Sequence, residues 1–118
     1  MALTVIHAVG PKWYEAENKK QALLKVYANI LEVADELLQV KTLSIPTIST
    51  GIHKYPAKFA AEVVLPYLVE KLSACKNLER IIIVCGNHEN ALAYQEVAAQ
   101  LPKGEVQVID LMPCDLQI

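Results

Sequence analysis

The chain has 118 residues, of which 53% are hydrophobic and 20% are charged, and its formal net charge is −2 at pH 7. This composition is typical of a globular protein and excludes a disordered chain. The 11 Lys and Arg residues form no basic run, so nucleic acid is disfavoured as the main partner. No apolar run approaches the roughly 18 residues that cross a bilayer, and the N-terminus lacks a charged signal-peptide region. We therefore expect one domain over residues 1–118, in the cytoplasm and without a membrane partner.

The cysteines are odd in number and show no metal-type spacing; they are Cys75, Cys85 and Cys114. Free thiols in a reducing compartment are the simplest interpretation. Neither the cysteines nor the histidines match a zinc pattern. The sequence predicts no metal site and no cofactor.

The first half of the chain alternates between two hydrophobic periods. Residues 3–9 are β-rich and end at Gly10-Pro11, which predicts a strand followed by a break. Residues 18–39 carry apolar side chains at helical spacing, and Asn18 with Gln21 forms a predicted capping pair. Residues 42–48 predict a second strand, which Pro46 interrupts.

The second half continues the alternation. A helix follows Pro56, and Pro66 inside it should kink it or split it in two. Residues 81–85 are apolar without alternation, as expected for a parallel strand covered on both faces. A helix over residues 88–101 and a last strand over residues 106–111 complete the order β-α-β-α-β-α-β. We predict an α/β fold with three layers, α/β/α, around a mainly parallel sheet.

Loops at the carboxyl ends of the first three predicted strands should meet at one edge of the sheet, where ligands of such folds bind. These loops are residues 7–11, 49–55 and 85–88. Together they contain all three histidines, three of the four glycines and a Ser-Thr pair. This edge is the predicted functional site.

The triplet Ser49-Thr50-Gly51 lies between a buried strand and a helix, where backbone N–H groups commonly face a bound anion. Both hydroxyls are short enough to reach that anion, and Gly51 permits close approach to the backbone. Lys54 would offset phosphate charge and His53 would donate a hydrogen bond. The alternative is that the triplet is only a turn that caps the next helix.

The remaining candidates also have two interpretations each. His7 fits a sheet histidine better than a catalytic one, and Asn87 is either an N-cap or a ligand contact. His88 is a candidate acid, base or stacking group. Cys85 fits a buried apolar residue better than a nucleophile, because no base is paired with it.

Two motifs in order, residues 5–13 and residues 45–56, joined by the long helix, resemble the macro domain family. The resemblance covers residues 3–101 and implies ADP-ribose binding or the related processing of Appr-1-p. It implies that Tyr55 flanks the distal sugar, and that the rim of the site includes Gly10 and the loop after Cys85. The implied phosphate-binding residues are Ser49, Thr50, Gly51, Ile52, His53 and Tyr55, and the implied rim residues are Gly10, Gly86, Asn87 and His88.

The chain departs from the family in its N-terminal third, which normally brings an Asn-Ala-Asn loop, an adenine-reading aspartate and a glycine-rich diphosphate loop. No residue here matches those groups, so no catalytic residue can be assigned and binding should be weak. One absent strand of the family lies between the strands matching residues 5–9 and residues 43–48. We therefore expect a homodimer or a rearranged sheet, in which the terminal strand could cover one edge.

Three functions remain open at this point. The preferred one is a binding module for ADP-ribose or a related phosphate-bearing nucleotide. The second is a degenerate domain that acts in homo- or hetero-oligomer assembly. The third is a hydrolase of ADP-ribosyl bonds or terminal phosphates, for which the only candidate bases are His7, His53 and His88.

Overall fold

The structure is a computed structural model that describes residues 4–51, 53–102 and 104–110. Within these residues, helices and strands alternate along the chain. The elements are α1 (Lys19–Glu32), which continues into a π-helical segment (Val33–Leu37), β1 (Thr42–Pro46), α2 (Ala57–Leu72), β2 (Arg80–Cys85), α3 (His88–Ala98) and β3 (Val106–Asp110). The α/β class with a parallel sheet is confirmed.

The sheet has the order β1-β2-β3, and β2 pairs in parallel with both neighbours. Ile83 of β2 lies opposite Ile45 on one side and Val108 on the other. The side chains of Ile81, Ile83 and Cys85 are fully buried, as the unbroken apolar run predicted. Pairing of β3 with β2 also confirms that the terminal strand covers one edge of the sheet, although Leu111 lies outside the described residues.

The three helices contribute their apolar faces to one core. Tyr27 on α1, Leu68 on α2 and Tyr94 on α3 have no exposed surface. The predicted cap of α1 is present, because the side-chain oxygen of Asn18 accepts a hydrogen bond from the backbone N–H of Gln21 at 3.0 Å. Helical periodicity in the sequence predicted the buried positions Tyr27 and Leu68, whereas Tyr94 was not among the predicted core residues. Leu92, which the periodicity placed on the apolar side of α3, is 53% exposed.

The predicted first strand is not a strand in the described residues: residues 4–10 have no regular secondary structure. A cleft of about 360 Å³ separates this segment from the outer edge of β1, so no ladder of hydrogen bonds joins them. Val5 and Val9 are 72% and 86% exposed, and His7 is exposed rather than held in a sheet. The observed order is α-β-α-β-α-β, because a strand forms only where its backbone finds a partner.

The effects of two prolines, Pro66 in α2 and Pro46 in β1, also differ from the predictions. Helix α2 runs unbroken through Pro66, which lies on its exposed side, where water can bond the carbonyl that loses its helical partner. Strand β1 ends at Pro46 instead of residue 48, and residues 47–51 form a turn region. Pro46 lies in the outermost strand of the described sheet, the position where a missing N–H is tolerated.

A buried carboxylate fixes the chain immediately before β2. Asp35, in the π-helical segment, accepts backbone hydrogen bonds from Lys76 at 3.1 Å, Asn77 at 2.6 Å and Leu78 at 2.8 Å. These bonds, led by those from Leu78 and Asn77, lower the pKa of the Asp35 carboxyl below its usual value. The end of the first helical region is thereby tied to the start of the central strand.

Asp35→Asn should lower the thermal unfolding midpoint at pH 7, because the amide replaces a carboxylate that accepts three backbone hydrogen bonds. A lowered native pKa contributes stability that is present above the ordinary carboxyl pKa and lost as pH falls through the native one. The difference between variant and parent should therefore shrink in acid. Glu36→Gln, an exposed change of the same charge, is the control in calorimetric scans. Equal midpoints for Asp35→Asn and the parent at pH 7 would contradict this role.

Candidate functional site

The carboxyl ends of the parallel strands meet at one edge of the sheet, as predicted for the loops after β1 and β2. A turn of residues 47–51, hereafter the Ser49 turn, follows β1, and the first turn of α3 follows β2. Asp110 ends β3 opposite Cys85. The site is built from these strand ends.

The Ser49 turn is held by its own hydrogen bonds. The hydroxyl of Thr50 donates to the carbonyl of Thr47 at 2.7 Å, and the N–H of Tyr55 donates to the carbonyl of Ser49 at 2.9 Å. Ser49 adopts a positive φ of 69°, which is uncommon for a residue with a side chain. The Thr50 hydroxyl is thus engaged inside the turn, which corrects the expectation that it reaches a bound anion.

Helix α3 braces the same turn through Asn90, a residue that the sequence analysis missed. Its side-chain nitrogen donates to the hydroxyls of Thr47 at 3.1 Å and Thr50 at 3.0 Å. The side chain of Asn87 caps the helix by accepting from the N–H of Asn90 at 2.8 Å. A polar residue on the buried face of α3 was the signal that could have identified Asn90.

A cavity of about 340 Å³ opens beside the turn. One wall is the extended segment before Pro11 and the other is the Ser49 turn with His53; the lining residues are Ala8, Val9, Gly10, Ile48, Ser49, Gly51 and His53. Ser49 is only 9% exposed, and its hydroxyl has no hydrogen-bond partner within the part of the chain that the structure describes. An unpaired buried hydroxyl is unusual in a native protein and calls for an explanation.

The two walls of the cavity meet at Gly10. A Cβ atom at this position would lie 2.2 Å from the Ser49 hydroxyl oxygen and 2.4 Å from Cγ2 of Ile48. Any side chain would therefore push the walls apart. Gly51 differs, since a Cβ atom there meets nothing within 4 Å.

The segment carrying Gly10 is anchored at its far end. The N–H of Trp13 donates to the carbonyl of His53 at 2.7 Å, and the ammonium of Lys19 donates to the carbonyl of Trp13. The hydroxyl of Tyr55 donates to the carbonyl of Lys19 at 2.9 Å, and its ring contacts Trp13 edge to face. Tyr55 is 1% exposed, so it supports the turn from the core and offers no surface to a sugar, contrary to the prediction.

The other predicted rim residues lie away from this cavity, and none of Gly86, Asn87 and His88 lines it. Asn87 is exposed and acts as the helix cap, the simpler of its two interpretations. Nδ1 of His88 lies 3.3 Å from a carboxylate oxygen of Asp110. Ile52 lies outside the described residues.

Two sequence interpretations concern chemistry at this edge. Burial, assisted by the charge of Asp110, raises the pKa of the Cys85 thiol to about 11, so the thiol is protonated at neutral pH. Among the described residues, no group of three or more His, Cys, Asp or Glu side chains could hold a metal ion. Of the helices that the structure describes, none combines the length and the apolar character needed to span a membrane.

The chain resembles proteins of known family along most of its length. The sequence profile of the Macro domain family matches residues 2–64. An O-acetyl-ADP-ribose deacetylase from Enterobacter sp. (strain 638) is 41% identical over 100 residues, covering 84% of this chain and 55% of that protein. A macro domain-containing protein from Acinetobacter sp. (strain ED45-25) is 32% identical over 106 residues, covering 89% of this chain and 57% of that protein.

Solved structures show the same similarity. The Oceanobacillus iheyensis macrodomain with ADP matches with a TM-score of 0.71 and 27% identity, over 78% of this chain and 48% of that one. A mutant of that macrodomain with ADPR matches with a TM-score of 0.70 over 78% and 49% of the two chains. The chain spans about half the length of the relatives that it matches. It belongs to the macro domain family, of which it represents a partial domain.

Proposed function

We propose that this chain binds ADP-ribose or a related phosphate-bearing nucleotide in the cavity between residues 8–10 and the Ser49 turn. The observation that carries the proposal is the buried, unpartnered hydroxyl of Ser49 in the wall of that cavity. Because Gly10 packs against this hydroxyl, a phosphate oxygen would accept its hydrogen bond once the two walls move slightly apart. The names of relatives that process O-acetyl-ADP-ribose, and the structural neighbours with ADP and ADPR, support the same class of ligand.

In this proposal the turn acts as a phosphate-binding loop. Ser49 contributes its hydroxyl, and Gly51 leaves open space in which a phosphate can approach the backbone. His53 lines the cavity and can donate from its imidazole. Thr50 acts indirectly, since its hydroxyl holds the shape of the turn.

Binding should be weak and without turnover. Among the described residues that line the cavity, only Ser49 and His53 have polar side chains, so few buried or charge-assisted hydrogen bonds are available to a ligand, each worth about 1.5–3 kcal/mol. The lack of a few such bonds corresponds to about three to six decades in the binding constant. Of the three histidines only His53 lines the cavity, and none of the described lining residues is a carboxylate that could serve as a general base.

A second candidate function, assembly as a homodimer, is supported by a separate observation. Strand β1 pairs only with β2 among the described strands, so its outer edge presents unpaired backbone groups to the adjoining cleft. We also propose a cytoplasmic location, which the free thiols of Cys75 and Cys85 support.

Gly51→Glu should abolish calorimetric binding of ADP-ribose, because the carboxylate would enter the phosphate region without straining the fold. Gly104→Glu is the matched control, since a Cβ atom at position 104 also meets nothing within 4 Å. Gly104 is distant from the Ser49 turn in sequence and does not line the cavity. The dissociation constant of the parent protein for ADP-ribose should lie above the micromolar range. Binding that survives Gly51→Glu, or a submicromolar affinity, would contradict the proposed half-site.

Ser49→Ala should change stability and affinity in opposite directions. Removing an unpaired buried hydroxyl should raise the free energy of unfolding by about 1 kcal/mol in the free protein. The same change should weaken ADP-ribose binding by about 5–30-fold, which corresponds to about 1–2 kcal/mol. Urea unfolding and calorimetric titration measure the two effects. Ser73→Ala, on the surface at the end of α2, is the control, and a Ser49→Ala variant that binds like the parent would exclude a role for the hydroxyl.

Gly10→Ala should destabilise the protein by about 1–3 kcal/mol, as overpacking at a close contact does. The added methyl group would displace the Ser49 turn, so ADP-ribose affinity should fall as well. Denaturant unfolding combined with titration tests both effects. Unchanged values in the two measurements would show that the segment and the turn do not depend on this contact.

A further inference from the structure

A cleft of about 360 Å³, hereafter the slot, lies between residues 4–8 and β1. The lining residues are Thr4, Val5, Ile6, Ala8, Ile30, Leu43, Ser44, Ile45, Pro46 and Ile48. β1 offers its unpaired edge on one side. An extended polypeptide in the slot could form main-chain hydrogen bonds with both walls, the mode known as β-augmentation.

The chain itself contains a segment suited to such a slot. Residues 4–9, hereafter the N-segment, have the sequence Thr-Val-Ile-His-Ala-Val, which contains no Asp, Glu, Lys or Arg and is rich in β-branched residues. The N-segment forms no strand, and Val5 and Val9 are largely exposed. Within residues 4–51, 53–102 and 104–110, no strand pairs with this β-rich segment, and none pairs with the outer edge of β1 beside it.

We propose that the cleft is filled by the N-segment of a second copy of this chain. In a two-fold symmetric pair, each N-segment would insert between β1 and the N-segment of the other copy. The strand order of the dimer would then be β3, β2 and β1 of one copy, the N-segment of its partner, the N-segment of the first copy, and β1, β2 and β3 of the partner. Such an arrangement is closed and isologous, so it ends at a dimer instead of growing into a fibre.

The directions of the strands are consistent with this arrangement. Residues 8–10 lie beside Ile48 and Ser49, at the carboxyl end of β1, so the N-segment runs in the same direction as β1. A two-fold axis normal to the sheet makes the partner's N-segment antiparallel to both of its neighbours. Neither the N-segment nor Thr42–Pro46 contains an Asp, Glu, Lys or Arg that would be buried or would meet a like charge.

This inference specifies the homodimer proposed above, and its test is carried out without nucleotide. The test uses light scattering to measure mass against concentration, and hydrogen exchange to locate the interface. The parent should be a dimer, with the amide hydrogens of residues 4–9 and 42–45 protected more strongly as the protein concentration rises. Val5→Lys should raise the dimer dissociation constant about tenfold or more, because a charge would be buried at the interface.

Leu37→Lys is the matched control, since Leu37 is 74% exposed in the π-helical segment, away from the cleft. It should leave the dimer unchanged. Val5 is 72% exposed within one copy, so Val5→Lys should keep the monomer's unfolding midpoint, which scanning calorimetry verifies. This interface would be overturned if Val5→Lys did not weaken the dimer, or if hydrogen-exchange protection appeared at other residues. The proposal of a homodimer would survive either result. A protein that is monomeric at all concentrations would overturn both this interface and the homodimer. Titration of that monomer with ADP-ribose would still test nucleotide binding separately.

Discussion

The fold depends on the pairing of β2 with a parallel neighbour on each side. Its buried side chains at Ile81, Ile83 and Cys85 form the centre of the core, and its two ladders fix where β1 and β3 end. The parallel register brings the Ser49 turn and the first turn of α3 to the same edge, where Asn90 joins them. Asp35 sets the start of β2 by binding the three backbone N–H groups that precede it. The geometry of the site therefore follows from how one strand is placed.

Of the three hydroxyl groups in the Ser49 turn, two are hydrogen-bonded and one has no partner among the described residues. Thr47, Thr50 and Asn90 bond to one another, while the Ser49 hydroxyl is buried without a partner among the described residues. A buried hydroxyl without a partner costs about 1–3 kcal/mol. A turn built only for stability would carry alanine or a bonded group there. Ser49, which carries this unpaired hydroxyl, lines the cavity, and a hydrogen bond to a bound ligand would explain why a serine is present there.

Local sequence patterns predicted those parts of the fold that local interactions decide. The apolar run over residues 81–85, the helical periodicities and the cap at Asn87 all appear in the structure. Residues 3–9 have an equally strong strand pattern but no partner strand, and pairing is a property of the tertiary structure that no local pattern contains. Tyr55 and Thr50 were misplaced for a related reason. The hydroxyl of Tyr55 donates to the carbonyl of Lys19, and the hydroxyl of Thr50 accepts from Asn90 on α3. Both partners are distant in sequence, so these contacts depend on how the chain packs.

The N-segment connects the two proposed functions physically. Residues 4–8 form a wall of the cleft beside β1, while residues 8–10 form a wall of the cavity proposed for the nucleotide. Insertion of a partner strand would fix residues 4–8 in place. Gly10, which follows them, contacts the Ser49 turn so closely that no side chain fits, so a shift of residues 4–8 would also move the turn. Ligand affinity and dimer affinity are then linked: whatever factor dimerisation applies to nucleotide binding, nucleotide binding must apply to dimerisation. Completion of the sheet and support of the proposed binding site would thus depend on the same few residues.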